Sequence, residues 1–153
     1  MREINSIWVH CTATKPSQDI GVKTVRSWHV RRGWSDIGYH FLIKRDGKIQ
    51  KGRKIERAGA HTRGYNSTSV GIALVGGINE KGRPQFNFTK EQMVSLDHLA
   101  TELCETYGID AKKVRGHNEV SAKACPCFDV PQWFSKTISK KPEKRDATDR
   151  LGW

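Results

Sequence analysis

Two short stretches of this chain are apolar on both faces, and they limit the folds open to it. In Ile4 to Cys11, Ile7, Val9 and Cys11 alternate with Trp8 and His10. Val70-Gly71-Ile72-Ala73-Leu74-Val75 is apolar throughout and is stopped by Gly76-Gly77. Both are strand length. A strand that is greasy on two sides must be covered on two sides, so each is expected as a central strand with helices above and below.

The segments between them fit that expectation. Val22, Val25, Trp28 and His29 recur at helical spacing within Val22 to Arg32, and Gly33 ends the run. Thr89 to Tyr107 is the clearest helix. Thr89 and Gln92 match a capping box, Met93, Leu96, Leu99, Ala100, Leu103 and Tyr107 form one apolar stripe, and Gly108 suits the C-cap. Cys104 beside that stripe reads as a small buried hydrophobe.

Tyr39 to Lys44 and Lys48 to Lys51, joined through Asp46-Gly47, read as a hairpin, with Tyr39 on the side of Phe41 and Ile43. Lys54 to Ser69 is irregular. Lys113 to Gly116 suggests a short last strand, and Asp129 with Pro131 starts a final helix through Trp133 and Phe134. The alternation predicts one α/β domain, a central mixed β-sheet flanked by helices. Its expected extent is residues 1–138. Residues 139–153 are expected as a basic, flexible C-terminal tail, because Lys140 to Trp153 is charged and nearly free of aliphatics.

The 153 residues carry a net charge of +11, which favours a polyanionic partner: nucleic acid, an anionic membrane or a phosphate-rich envelope. No helix-turn-helix, zinc-finger or RNP pattern supports the first of these. No apolar run approaches the roughly 18 residues of a membrane span, and Met1 to Ser6 does not resemble a signal peptide. Synthesis in a cytosol is therefore expected. The four cysteines, Cys11, Cys104, Cys125 and Cys127, are expected as thiols or metal ligands.

Three residues stand out chemically: His10 in the first strand, His117 after the last, and Cys125 in an irregular loop before Pro126. Two imidazoles and one thiolate from distant parts of a chain suit an open catalytic zinc site, whereas a closed structural site usually shows paired Cys-x-x-Cys spacings. Taken singly, His10 reads first as a satisfied core or surface histidine and only second as a ligand. Cys127 either competes as a ligand or packs, and a Cys-x-Cys bridge is not expected. Glu119 either fixes an imidazole as an acceptor, caps a turn, or pairs with Lys123. Tyr39 is by default a core tyrosine and Lys123 a surface lysine. His29, His40 and His98 have no motif around them and are read as structural, while His61, in a Gly/Thr-rich loop, is a candidate to line a cleft.

At these residues the chain resembles a known family, the zinc-dependent N-acetylmuramoyl-L-alanine amidases of type 2, and within it the endolysins of the T-seven-type phage lysozyme group. The resemblance lies in His10-Cys11-Thr12-Ala13-Thr14-Lys15-Pro16-Ser17, Gly38-Tyr39-His40-Phe41, Ile43-Lys44-Arg45-Asp46-Gly47, Gly64-Tyr65-Asn66, Val70-Gly71-Ile72 and Leu74-Val75-Gly76-Gly77. It continues in His117-Asn118-Glu119-Val120 and Lys123-Ala124-Cys125-Pro126.

The resemblance implies the fold shared with peptidoglycan recognition proteins. It implies one Zn2+ per chain on His10, His117 and Cys125, with Tyr39 and Lys123 as catalytic side chains. His61 and Glu119 are candidates for the substrate cleft. The implied reaction hydrolyses the amide between the lactyl group of N-acetylmuramic acid and L-alanine in peptidoglycan, lysing the host. The protein would be a monomer, made in the bacterial cytoplasm and acting after release across the inner membrane.

Anionic envelope polymers are expected to meet the basic surface and tail. Two alternatives stand beside the enzyme: a non-catalytic peptidoglycan-binding module, which the presence of Tyr39 and Cys125 argues against, and a phage RNA polymerase inhibitor, which the short segment before the first strand argues against.

Overall fold

A computed structural model describes residues 1–139. The expected tail from Lys140 to Trp153 lies outside the described residues. The elements are β1 (Ser6–Cys11), α1 (Val22–Arg31), β2 (Phe41–Ile43), β3 (Ile49–Lys51), β4 (Ser69–Leu74), α2 (Lys90–Tyr107), β5 (Val114–Gly116) and α3 (Val130–Ser139). The sheet runs β3-β2-β4-β1-β5. β1 pairs in parallel with β4 and β5, β2 pairs in parallel with β4, and only β2 and β3 are antiparallel. The two strands expected to be central are central.

The alternation along β1 and β4 sorts the core into two layers. Ile7, Val9 and Cys11 join Val70, Ile72 and Leu74 beneath Leu96, Leu99, Ala100 and Leu103 of α2 and Val130 and Phe134 of α3. On the other face Ala73, Val75 and Leu42 pack against Val22 and Val25 of α1. α2 begins and ends as its sequence demands. The Thr89 hydroxyl accepts from Gln92 N–H at 3.0 Å while Gln92 Oε1 accepts from Thr89 N–H at 2.9 Å, and Gly108 at φ 65° closes the helix. Gln92 Nε2 then donates to the carbonyls of Ile43 and Val75, at 3.1 and 2.9 Å, tying the helix start to β2 and to the chain just beyond β4.

The hairpin differs in one consequential detail. Gly47 alone takes the positive φ, at 89°, and Gly47 N–H donates to Lys44 O. This is a type I turn followed by a left-handed glycine. At the other end of β2 the ladder twists. His40 N–H donates to Gly71 O on the β4 side, yet His40 O accepts from Gly52 N–H on the β3 side. A regular strand residue aims both groups at one neighbour. The backbone has therefore rotated at His40, and Tyr39 lies with the Val25, Ile37 and Leu42 layer instead of with Phe41 and Ile43. The sequence expectation for Tyr39 is corrected on that ground.

Two buried histidines hold this region and are fixed as neutral. His40 Nδ1 accepts from Gly71 N–H at 3.0 Å, and His29 Nδ1 accepts from Gly38 N–H at 2.8 Å. A backbone donor facing a ring nitrogen forbids a proton there. Burial lowers both imidazoles to about 4 from 6.5, with Arg32 and Arg53 adding repulsion at His29. The folded pKa lies below the unfolded one, so the unfolded chain takes up protons first. Stability should be complete above about pH 6.5 and fall as the pH drops toward 4, by about 2 kcal/mol per histidine near pH 4.5. Urea titrations across that range should show this acid limb, shallower in His40→Asn, which keeps an acceptor in place of Nδ1. A flat profile from pH 7 to pH 5 would contradict the assignment.

Candidate metal and catalytic site

β1 and β5 build the site by register. Val9 pairs with Gly116, which sets His10, still within β1, beside His117, the first residue past β5. Their rings stand 4.7 Å apart. The loop after β5 brings Cys125 to them, its sulfur accepting from Cys11 N–H at 3.1 Å. One ligand atom from each of His10, His117 and Cys125 lies within 4.8 Å of the others. Tetrahedral bonds of about 2.0–2.3 Å place ligand atoms roughly 3.5 Å apart, so a small inward movement closes the set on an ion.

The electrostatics suit a cation. His10 is held well below its ordinary pKa by burial and by His61 and His117. His117 is lowered by burial and by Lys123. Both rings therefore keep a lone pair at neutral pH. A hydrogen bond from the Cys11 thiol, helped by Cys11 N–H and Lys123, outweighs burial and lowers the Cys125 thiol. Cys11 is pushed up in return, first by that same bond and then by burial. Within the pair, negative charge is favoured on Cys125, the sulfur that Cys11 N–H and Lys123 stabilise. Two neutral imidazoles and one thiolate fit zinc.

The loop before β4 also supports His10. The His10 Nε2 lies 3.1 Å from the buried Thr62 hydroxyl and 3.0 Å from His61 Nδ1. Asn66 Oδ1 accepts from the N–H groups of both His61 and Thr62 at 2.9 Å, which fixes the loop. His61 can approach because β4 carries glycine opposite Trp8: a Cβ on Gly71 would stand 2.5 Å from the His61 ring. Sequence reasoning found His61 but missed Thr62, and Asn66 was visible only within the Gly64-Tyr65-Asn66 resemblance.

A cleft of about 220 Å³ opens over these groups, lined by the three candidate ligands, Tyr39, His61 and Lys123 at one end and by Trp28, His29, Arg32 and Trp34 at the other. The Tyr39 ring lies 5.2 Å from His10 and 5.4 Å from His29. Burial, with Cys125 and Cys11 nearby, pushes its hydroxyl above the ordinary tyrosine value, so it stays protonated. His29 is structural through Nδ1, as expected, but it also lines the cleft. No local signal marked it, because only the packing of α1 against the sheet brings it there. His40 is structural, and His98 sits half-buried on α2.

The surroundings of two residues with open readings, Glu119 and Cys127, favour one reading for each. Glu119 does not line the cleft, touch an imidazole or pair with Lys123. Its carboxylate accepts from Gly116 N–H at 2.6 Å and from Arg115 Nε at 3.1 Å, capping the turn after β5. The Gly116 N–H takes one carboxylate oxygen and Arg115 the other, which is the capping alternative. Cys127 stands outside the ligand group, its thiol donating to Gly77 O at 3.4 Å.

Comparison with known proteins identifies the family. Residues 1–128 match the family model for N-acetylmuramoyl-L-alanine amidase. The endolysin of Escherichia phage T7 is 49% identical over 132 residues, covering 86% of this chain and 86% of that protein. A peptidoglycan-recognition protein of Drosophila melanogaster is 32% identical over 150 residues, covering 94% of this chain and 79% of that protein. The structure of N-acetylmuramoyl-L-alanine amidase LysC from Clostridium intestinale superposes with a TM-score of 0.77 at 32% identity, over 92% of this chain and 88% of that one. The chain belongs to the N-acetylmuramoyl-L-alanine amidase family and is a hydrolase of that kind.

Proposed function

We propose that the protein is a zinc-dependent phage endolysin that hydrolyses the amide between the lactyl group of N-acetylmuramic acid and L-alanine of the stem peptide. The observation that carries this is the meeting of His10, His117 and Cys125 at one edge of the sheet, beside a tyrosine and a lysine.

His10, His117 and Cys125 would hold the ion, one per chain. When bound, zinc supplies Lewis acidity toward an amide carbonyl and lowers the pKa of a water from about 16 toward about 7. The protein does the rest. Thr62 and His61 fix the His10 ring. The Tyr39 hydroxyl, kept protonated, and the Lys123 ammonium donate hydrogen bonds to the oxygen on which negative charge develops. The cleft walls orient the glycopeptide and limit water around the scissile bond.

The protein is made in the bacterial cytoplasm and meets peptidoglycan once the inner membrane is breached. Among the described residues no helix is long and apolar enough to cross a membrane. The +11 charge draws the enzyme to anionic envelope polymers, an attraction that weakens as salt rises.

Tyr39→Phe and Lys123→Ala should keep the metal and lose about a hundredfold or more in the rate of stem-peptide release, whereas Cys125→Ser and His117→Ala should lose both. Full activity in either of the first two removes that residue from the mechanism. Thr62→Val keeps the shape and deletes the hydroxyl beside His10. Chelator competition should show metal affinity lowered roughly 10- to 100-fold, and an unchanged affinity would reduce Thr62 to packing.

A further inference from the structure

Cys127 takes no part in the reaction described, yet it is not isolated. Cys11 and Cys127 both pack against Gly77, and the Cys125 sulfur accepts from Cys11 N–H at 3.1 Å. Gly77 makes room for this. A Cβ there would stand 2.5 Å from Cys11 Sγ, and the Gly77 carbonyl accepts from the Cys127 thiol at 3.4 Å. Cys125 is engaged elsewhere, with Cys11 N–H and with the His10 and His117 group. Cys11 therefore has two sulfur neighbours, one in the ligand group and one outside it. All three are free cysteines, and Cys11 and Cys125 both line the open cleft.

We propose that Cys11 and Cys127 form an oxidation site that spares the metal ligand: under oxidising conditions they join as a disulfide while Cys125 stays in the ligand group. The inference rests on Cys125 being a zinc ligand. The oxidant is a small-molecule disulfide such as oxidised glutathione. One protein thiolate attacks it, forming a mixed disulfide and releasing one glutathione thiol. The second protein thiol then displaces the other glutathione, so the protein loses two hydrogens and the oxidant is reduced to two thiols.

A second route ends at the same bond. If Cys11 is first joined to Cys125, Cys127 attacks the Cys11 sulfur and expels Cys125 as a thiolate, free again to serve as a ligand. In a chain without Cys127, oxidised Cys11 has only Cys125 to join, and the ligand is consumed. An enzyme that leaves a reducing cytosol for the oxidising cell envelope meets these conditions.

The test uses the full chain loaded with zinc, exposed to oxidised glutathione, alkylated, digested and mapped by mass spectrometry. Zinc is measured before and after oxidation. The zinc content before oxidation tests Cys125 as a ligand, and the cross-link map tests the inference separately. The expected result is a Cys11–Cys127 cross-link, Cys125 unlinked, and zinc retained. Cys127→Ser should instead give a Cys11–Cys125 cross-link with zinc lost. A Cys11–Cys125 cross-link in the unaltered chain, glutathione adducts without an internal disulfide, or thiols that all remain free would each overturn the proposal.

Discussion

Val9 and Gly116 lie side by side in parallel strands, and much of the molecule follows from that pairing. The strands run parallel, so the next residues on each, His10 near the carboxyl end of β1 and His117 just past β5, come side by side. Open α/β sheets place ligands at the carboxyl ends of their strands because side chains from separate strands converge there. Here the strands are held in register by an apolar layer. Ile7, Val9, Val70, Ile72, Leu96, Leu99 and Leu103 are all fully buried between the sheet and α2. Removing a buried leucine of this kind costs about 2–5 kcal/mol, and the geometry of the site rests on that same packing.

The opposite face of the sheet is built differently. β4 presents Gly71 and Ala73 where the other face carries Val70, Ile72 and Leu74. The small residues admit His61 and the rings of the cleft, at the expense of apolar contact. Part of the lost packing is replaced by hydrogen bonds between imidazoles and backbone N–H groups, which hold His29 and His40 neutral. Thr62 and Asn66 do the same for the loop beside His10. One face stabilises the fold and the other is shaped for chemistry.

The parts legible in the sequence were those decided locally. Alternation in β1, the Thr89–Gln92 box, the Gly108 cap and the glycine pair after β4 each depend on a few neighbouring residues, and each appears as expected. His10, His117 and Cys125 were legible as a donor set, though their meeting depends on strand order. Tyr39 was misplaced relative to its strand because the rotation at His40 arises from bonding to β4 and β3 at once. Glu119 was ambiguous for a similar reason: its partners, Gly116 N–H and Arg115, are local, but so was the competing Lys123. Thr62, and His29 and Trp28 as cleft residues, carry no local mark. Only the docking of α1 and of the segment before β4 onto the sheet gives them their roles.

The most direct test of the account combines metal dependence with product identity. Purified peptidoglycan is incubated with the protein, with the protein plus a chelator, and with the chelated protein resupplied with zinc, and the released material is identified by mass spectrometry. The account predicts stem peptides bearing a free L-alanine amine, absent with chelator and restored by zinc. Tight binding to the wall with no released peptide, or release that is indifferent to the chelator, would contradict it.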